Sequence, residues 1–206
     1  IALINELKIA TTKLDIDIYD VIKIASTKPF GFQKFFPGPG TRGHCIPIDP
    51  IYFSWLSKKK GVNVKFIELS SKINQIRTKW IIKKLKTIAK KISSPEILLL
   101  GLSYKKNIED TRESASIKIL EDLLKQKYAI DYSDPFNQKI VLNYRKKRKV
   151  LSSKKFNKNV IKKYNLIIIA TDHDKFDYSL LKSSNKVIVD LRGKFKNIKS
   201  KYIYQL

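Results

Sequence analysis

Short apolar runs at 97–100, 129–132, 166–170 and 187–189, with 202–204 as a further candidate, alternate with helical stretches, of which 114–127 is the clearest. Such strands carry apolar side chains on both faces, so both faces of their sheet must be covered. Parallel strands need long crossovers, and the intervening helices supply them. The pattern predicts an α/β fold over residues 93–206, a parallel doubly wound sheet.

Residues 1–92 read differently. Leu3, Ile4, Leu7, Ile9 and Ala10, then Ile18, Val21, Ile22, Ile24 and Ala25, recur with helical spacing and predict two amphipathic helices. Asp15 or Asp17 is placed to cap the second. The stretch 28–45 holds three prolines and four glycines and excludes regular structure. A helix over 51–60 ends at Gly61. A long one follows over 66–92, with Leu69, Ile73, Ile76, Trp80, Ile81, Leu85 and Ile88 as its apolar stripe. Ser93-Ser94-Pro95 marks the boundary, giving a helical central region at 1–92 and a sheet domain at 93–206.

The net charge of +25 suggests a polyanion partner, but 37 of the 43 basic side chains are lysine. Base readout and bidentate phosphate clamping favour arginine. The run 145–149, with Lys154, Lys155, Lys158, Lys162 and Lys163 beyond it, reads better as a solvated face, and nucleic acid is not the expected partner. One cysteine, Cys45, excludes an internal disulfide. No apolar run reaches the ~18 to 20 residues of a membrane span, and no signal peptide is recognisable at the start. The expectation is a soluble cytoplasmic protein. The chain opens at Ile1 and contains no methionine, so it reads as a truncated part of a larger protein.

Two clusters carry chemistry. In the first, Gly38-Pro39-Gly40-Thr41-Arg42-Gly43-His44-Cys45, the glycines spell G-x-G-x-x-G. No strand precedes them, so this is not a dinucleotide fingerprint. It is a backbone able to approach a ligand closely, leading into a cysteine. Pro47, Asp49 and Pro50 suit the first turn of the next helix, which places Cys45 just before a helix N-terminus, where nucleophilic cysteines occur. The second cluster, 101–114, follows the first strand of the sheet domain and runs into a helix. Ligands of open α/β sheets bind in that crevice, and Lys105 and Arg112 would favour an anion there. The alternative is a solvated turn held by an Asp110–Arg112 pair. Asp172-His173-Asp174 has metal-ligating types without a partner elsewhere, so no metal is expected. Arg192, at a strand's carboxyl end, is a better ligand contact.

These residues resemble a family. Gly-Pro-Gly-x-x-Gly-His-Cys-Ile-Pro-Ile-Asp-Pro, followed some 50 residues later by Gly-Leu-Ser-Tyr-Lys-Lys-Asn-x-x-Asp-Thr-Arg-Glu-Ser, is similar to the NAD-dependent UDP-sugar 6-dehydrogenases, most of all to the UDP-N-acetylglucosamine and UDP-N-acetylmannosamine branch. Tyr132-Ser133-Asp134-Pro135 and the segment 170–177 also fit. The resemblance implies a helical middle, a long spine helix that dimerises, and a Rossmann-like UDP-sugar domain. The NAD-binding domain, together with the family's catalytic Lys and Asn and a substrate-contacting Glu, would lie upstream. It implies oxidation of the C6 alcohol to a carboxylate with two NAD, through a thiohemiacetal and thioester on Cys45, for surface polysaccharide precursors, with Asp49 handling protons. Phe36, Gly38, Gly40 and Gly43 match the loop along the sugar and uridine. Tyr104, Lys105 and Arg192 match substrate contacts, and Arg112 a contact to the dinucleotide. Arg42 stands where the family has Gly and would crowd the substrate loop. Ile76-Arg77-Thr78 replaces a Met-Pro expected at the start of the spine helix. The alternatives are a non-catalytic polyanion-binding α/β module and an inactive fragment of such an enzyme.

Overall fold

A computed structural model describes residues 1–41, 43, 45–144, 147–182, 184–198 and 200–206. Arg42, His44 and the Arg145-Lys146 part of the basic run lie outside the described residues.

The N-terminal third is helical. Helix α1 (Ala2–Lys13) is followed by α2 (Ile18–Ala25), which starts where Asp17 Oδ1 accepts the Tyr19 amide at 2.8 Å. Ile18, Tyr19 and Ile22 turn inward together, and Ile4 of α1 packs on them. Helix α3 (Asp49–Lys59) begins with Asp49 and Pro50 in its first turn, as their chemistry dictates. The 25-residue α4 (Lys65–Ala89) carries α1 and α3 on its first half.

The second half of α4 does different work. Ile81, Leu85, Ile88 and Ala89 join the main core with strand and helix side chains of the sheet. The sheet consists of β1 (Glu96–Leu100), β2 (Ala129–Ser133), β5 (Leu166–Ile169), β6 (Val187–Asp190) and β7 (Ile203–Gln205), in the order β2-β1-β5-β6-β7, all parallel. Helix α5 (Ala115–Lys125), capped by Ser114, connects β1 to β2 and buries Ile119, Leu120, Leu123 and Leu124 against one face. On the other face Leu98, Leu100, Ile167, Ile169 and Ile188 meet Tyr164, Phe176, Tyr178, Leu181 and Phe195, around the short helices α6 (Lys158–Ile161) and α7 (Ser179–Lys182). Both faces are covered, which is why the strands carry no polar alternation.

One element and one stripe differ from the sequence reading. The basic run, expected as a solvated face, falls on an antiparallel hairpin of β3 (Lys139–Tyr144) and β4 (Lys147–Ser152), with Val141 opposite Val150. It buries Ile140 and Leu142, while Val141 and Val150 on its other face are exposed, and the basic side chains scattered along both strands hid this alternation. The stripe on α4 is also polar in its first half. Asn74 and Arg77 are buried, while Leu69 and Ile76 are about half exposed (52% and 47%). The inward face there meets loop backbone, whose polar groups need partners. Residues 76–78 therefore lie well inside α4 and not at its start.

Among the described residues no helix is long and apolar enough to cross a membrane.

Candidate functional site

In a doubly wound sheet the crevice opens where neighbouring strands leave in opposite directions. Here that point lies between β1, which leads to β2 on one side, and β5 on the other. The loop after β1 and the segment after β5 meet at its mouth. They meet closely: a Cβ on Gly101 would stand 2.3 Å from the Thr171 carbonyl oxygen, and Gly101 has φ +80°. Thr171 Oγ1 donates to the Ser103 carbonyl at 2.6 Å.

Behind this mouth sits a buried polar hub. Asp134, 1% exposed, accepts through Oδ2 from the Leu102 and Ser103 amides (2.7 and 3.3 Å) and through Oδ1 from those of Phe136 and Asn137 (2.8 and 2.9 Å). His173 completes it. Its Nδ1 accepts the Asn107 amide at 2.9 Å, so the ring proton lies on Nε2, which donates to Asp134 Oδ2 at 3.1 Å. No group of three potential metal ligands occurs among the described residues. His173 thus fixes the loop after β1, an arrangement that sequence reasoning missed. The Asp-Pro following β2 was the available signal.

Burial pushes the Asp134 carboxyl up, but the bond from His173 and the amides of Leu102 and Phe136 outweigh it and hold the carboxyl at about 2. The folded value lies below the ordinary 3.8, so the stabilisation is complete above about pH 4 and is lost as pH falls through about 2. It amounts to roughly 2 kcal/mol. Asp134→Asn should therefore destabilise the protein at pH 7, and the gap to wild type should narrow steadily in denaturant melts taken from pH 5 down to pH 2. A gap independent of pH would exclude this role.

The loop so fixed presents the expected residues unequally. Lys106 is tied to Asp174 at 3.1 Å, and Asn107 is bonded to Asp174 as well. The neighbouring Lys105 is exposed and makes no hydrogen bond or ion pair among the described residues, so it is the lysine available to an anion. Arg112 is exposed and lies on Asp110, with Nε 2.9 Å from Oδ2 and its own amide 2.9 Å from Oδ1. That bond and the Asp110 charge raise the Arg112 pKa further. The Asp110–Arg112 pair weighed from sequence is present. Arg192 is mostly buried and is also paired, its Nε 2.9 Å from Asp172 Oδ1.

The glycine loop reaches this mouth from the helical side. Gly43, with φ +95°, lies so close to the Tyr104 ring that a Cβ there would stand 2.9 Å from it. This contact joins the first cluster to the second. Cys45 follows, exposed, and its carbonyl accepts the Ile48 and Asp49 amides at 3.1 and 2.9 Å, setting the turn that leads into α3. Asp49 is exposed at the start of that helix. Phe36 lies further back, half exposed, with its ring stacked on Tyr19 at 6.2 Å and Lys196 Nζ 5.5 Å away. Gly38 and Gly40 are buried against α1 and α4. Clefts of about 390 and 400 Å³ flank the loop. Ile1, Phe35, Ile46 and Phe66 line the first, and Gln75, Lys79, Glu113 and Lys118 the second.

The family-model comparison divides along the same line. The central-domain model of the UDP-glucose/GDP-mannose dehydrogenase family matches residues 1–76, and that family's UDP-binding-domain model matches residues 98–197. A UDP-N-acetyl-D-mannosamine dehydrogenase of Methanococcus vannielii is 37% identical over 139 residues, covering 66% of this chain and 31% of that protein. One from Campylobacter jejuni is 35% identical over 120 residues, covering 58% of this chain and 28% of the relative. The solved UDP-D-ManNAc dehydrogenase of Pyrococcus horikoshii superposes with a TM-score of 0.76 at 26% identity, covering 99% of this chain and 47% of that one. The chain thus spans about half the length of the solved relatives and about a third of the curated ones. Two models of one family, matched in the order of their domains and meeting at the Gly43–Tyr104 contact, place the chain in the UDP-glucose/GDP-mannose dehydrogenase family.

Proposed function

We propose that the protein containing this chain oxidises the C6 alcohol of a UDP-N-acetylhexosamine, UDP-N-acetylmannosamine or UDP-N-acetylglucosamine, to the uronic acid, with NAD as the hydride acceptor. The observation that carries the reading is Cys45, exposed at the turn into α3, two residues beyond the glycine packed on Tyr104. The names of the relatives support the sugar class. Residues 1–92 form the central region in this reading and residues 93–206 the UDP-sugar domain.

The described residues do not build a cradle for the dinucleotide. The turn after β1 is filled by Thr171, and the Ser116 amide in the first turn of α5 is taken by the Ser114 cap at 3.2 Å. Arg112 alone of the proposed contacts would face a cofactor, and this chain by itself should turn over nothing.

What the chain supplies is the nucleophile and the anion contacts. The Cys45 sulfur adds to the carbonyl carbon of the C6 aldehyde, forming a C–S bond while the oxygen takes up a proton. Once that carbon has reached the acyl level, water cleaves the C–S bond, giving the carboxylate and returning the thiol. Asp49, four residues on, takes and returns the protons. Lys105 meets the diphosphate, with Arg192 beside it once released from Asp172. Gly43 and Tyr104 stand nearest the sugar and uridine, while Gly38 and Gly40, bonded to α1 and α4, and Phe36 behind them carry the loop to that place. A homodimer through the spine helix is part of the proposal, supported by exposed Phe66, Leu69 and Ile76 on α4.

The test is absorbance at the NADH band for the full reading frame containing this chain, with UDP-N-acetylglucosamine, UDP-N-acetylmannosamine and UDP-glucose. Two NADH per sugar with an N-acetylhexosamine substrate is the expected result. A folded full-length protein that reduces no NAD with any of them overturns the proposal. For this chain of 206 residues, Lys105→Ala should weaken UDP binding by calorimetry about tenfold, whereas Lys106→Ala should change it less than threefold.

A further inference from the structure

The glycine loop is held from the helical side by bonds to consecutive peptide groups. Asn5 Oδ1 accepts the Gly38 amide at 3.0 Å, Arg77 Nε donates to the Gly38 carbonyl at 3.2 Å, and Thr78 Oγ1 donates to the Pro39 carbonyl at 2.6 Å. Asn5 is itself braced, its Nδ2 donating to Asn74 Oδ1 at 2.8 Å, and Asn74 Nδ2 returns to the Ser70 carbonyl at 2.9 Å. Gly40 then passes so near α4 that a Cβ would stand 3.0 Å from Thr78 Oγ1.

Arg77 is a costly way to make one of these bonds. The side chain is wholly buried, and neither Nη1 nor Nη2 has a partner among the described residues. Burial depresses its pKa to about 10, and the Trp80 ring, 4.8 Å from Cζ, gives partial compensation. Two buried cations stand together here, for Lys8 is 4% exposed and lowered by burial and by Arg77. A well-packed apolar residue at position 77 would remove that penalty. What it could not do is satisfy the Gly38 carbonyl.

The loop is thus gripped at Gly38–Gly40 by two helices and at Gly43 by Tyr104, with Cys45 next in line. We propose that Asn5, Arg77 and Thr78 are positioning residues, which set the path of the glycine loop and with it the placement of the Cys45 thiol. The inference rests on the reading of Cys45 as the reactive group, but its test does not need the redox reaction.

Thr78→Val, Thr78→Ser and Arg77→Met are compared with wild type by deuterium uptake of the 38–45 segment, by the rate of Cys45 alkylation with iodoacetamide, and by thermal melting. Arg77→Met should melt at or above the wild-type temperature, since an unpaired buried charge is gone. Its loop amides should nevertheless exchange about tenfold faster, and alkylation should change at least threefold. Thr78→Val should loosen the same segment, and Thr78→Ser, which keeps the hydroxyl, should restore it. A merely structural role would move loop order and melting temperature together. The proposal fails if uptake and alkylation in Arg77→Met and Thr78→Val stay within twofold of wild type. It fails equally if Thr78→Ser does not rescue, or if loosening spreads evenly through α1 and α4. Absence of NADH formation in the full-length protein would overturn the dehydrogenase reading and leave these results standing.

Discussion

Gly101→Ala is expected to remove a large share of the protein's folding stability. Two penalties coincide at this position. The φ of +80° is costly for any residue with a Cβ, on the order of 1 to 2 kcal/mol. The added carbon would also stand 2.3 Å from the Thr171 carbonyl oxygen and 2.8 Å from its Cα. Both are backbone atoms at the end of a strand buried on both faces, so relief requires β1 and β5 to part. Together the effects should reach about 4 kcal/mol or more, a large share of the 5 to 15 kcal/mol typical of a folded domain. Gly31→Ala is the matched control. Its φ is +73° but nothing lies within 4 Å of the new carbon, so only the smaller penalty remains. Thermal melts of the two variants should differ by roughly five to ten degrees. Equal losses would mean that the β1–β5 contact does not limit stability.

The same contact shows what a sequence discloses and what it withholds. The strands at 97–100 and 166–170 were legible because parallel strands covered on both faces carry unbroken apolar runs. The Asp17 cap and the Asp49–Pro50 helix start were legible because each depends on chemistry within one turn. The β3–β4 hairpin was not, since one of its faces is solvated and its lysines masked Ile140 and Leu142. In the candidate site, Cys45, Tyr104 and Lys105 could be named from motifs. That Gly43 packs on Tyr104, or that Lys106 and not Lys105 is tied to Asp174, depends on residues more than 60 positions apart. Arg77 was the hardest case. The stripe read from the sequence runs through Ile73, Ile76 and Trp80, and nothing local marks position 77 for burial. Only the glycine loop, folded back from 39 residues upstream, makes a buried guanidinium useful there.

Cys45→Ser should cost the full-length protein about three orders of magnitude or more in NADH formation, the scale on which removal of an attacking nucleophile acts. A serine hydroxyl would occupy the same turn before α3, because that turn is set by the Cys45 carbonyl bonds to the Ile48 and Asp49 amides and not by the side chain. Folding should therefore be unchanged, and thermal melts should overlay within a degree or two. The hydroxyl is a far weaker nucleophile than a thiol near neutral pH, so addition to the aldehyde carbon would fail while the sugar nucleotide still bound. Mass spectrometry of the trapped wild-type protein should place an acyl adduct on the peptide containing Cys45, and the variant should carry none. If Cys45→Ser retained more than a tenth of wild-type NADH formation, the nucleophile would have to be sought elsewhere. Asp49→Asn separates the two roles at this turn. It should slow thioester hydrolysis while leaving the adduct on Cys45, so that the acyl species accumulates on the Cys45 peptide of the variant.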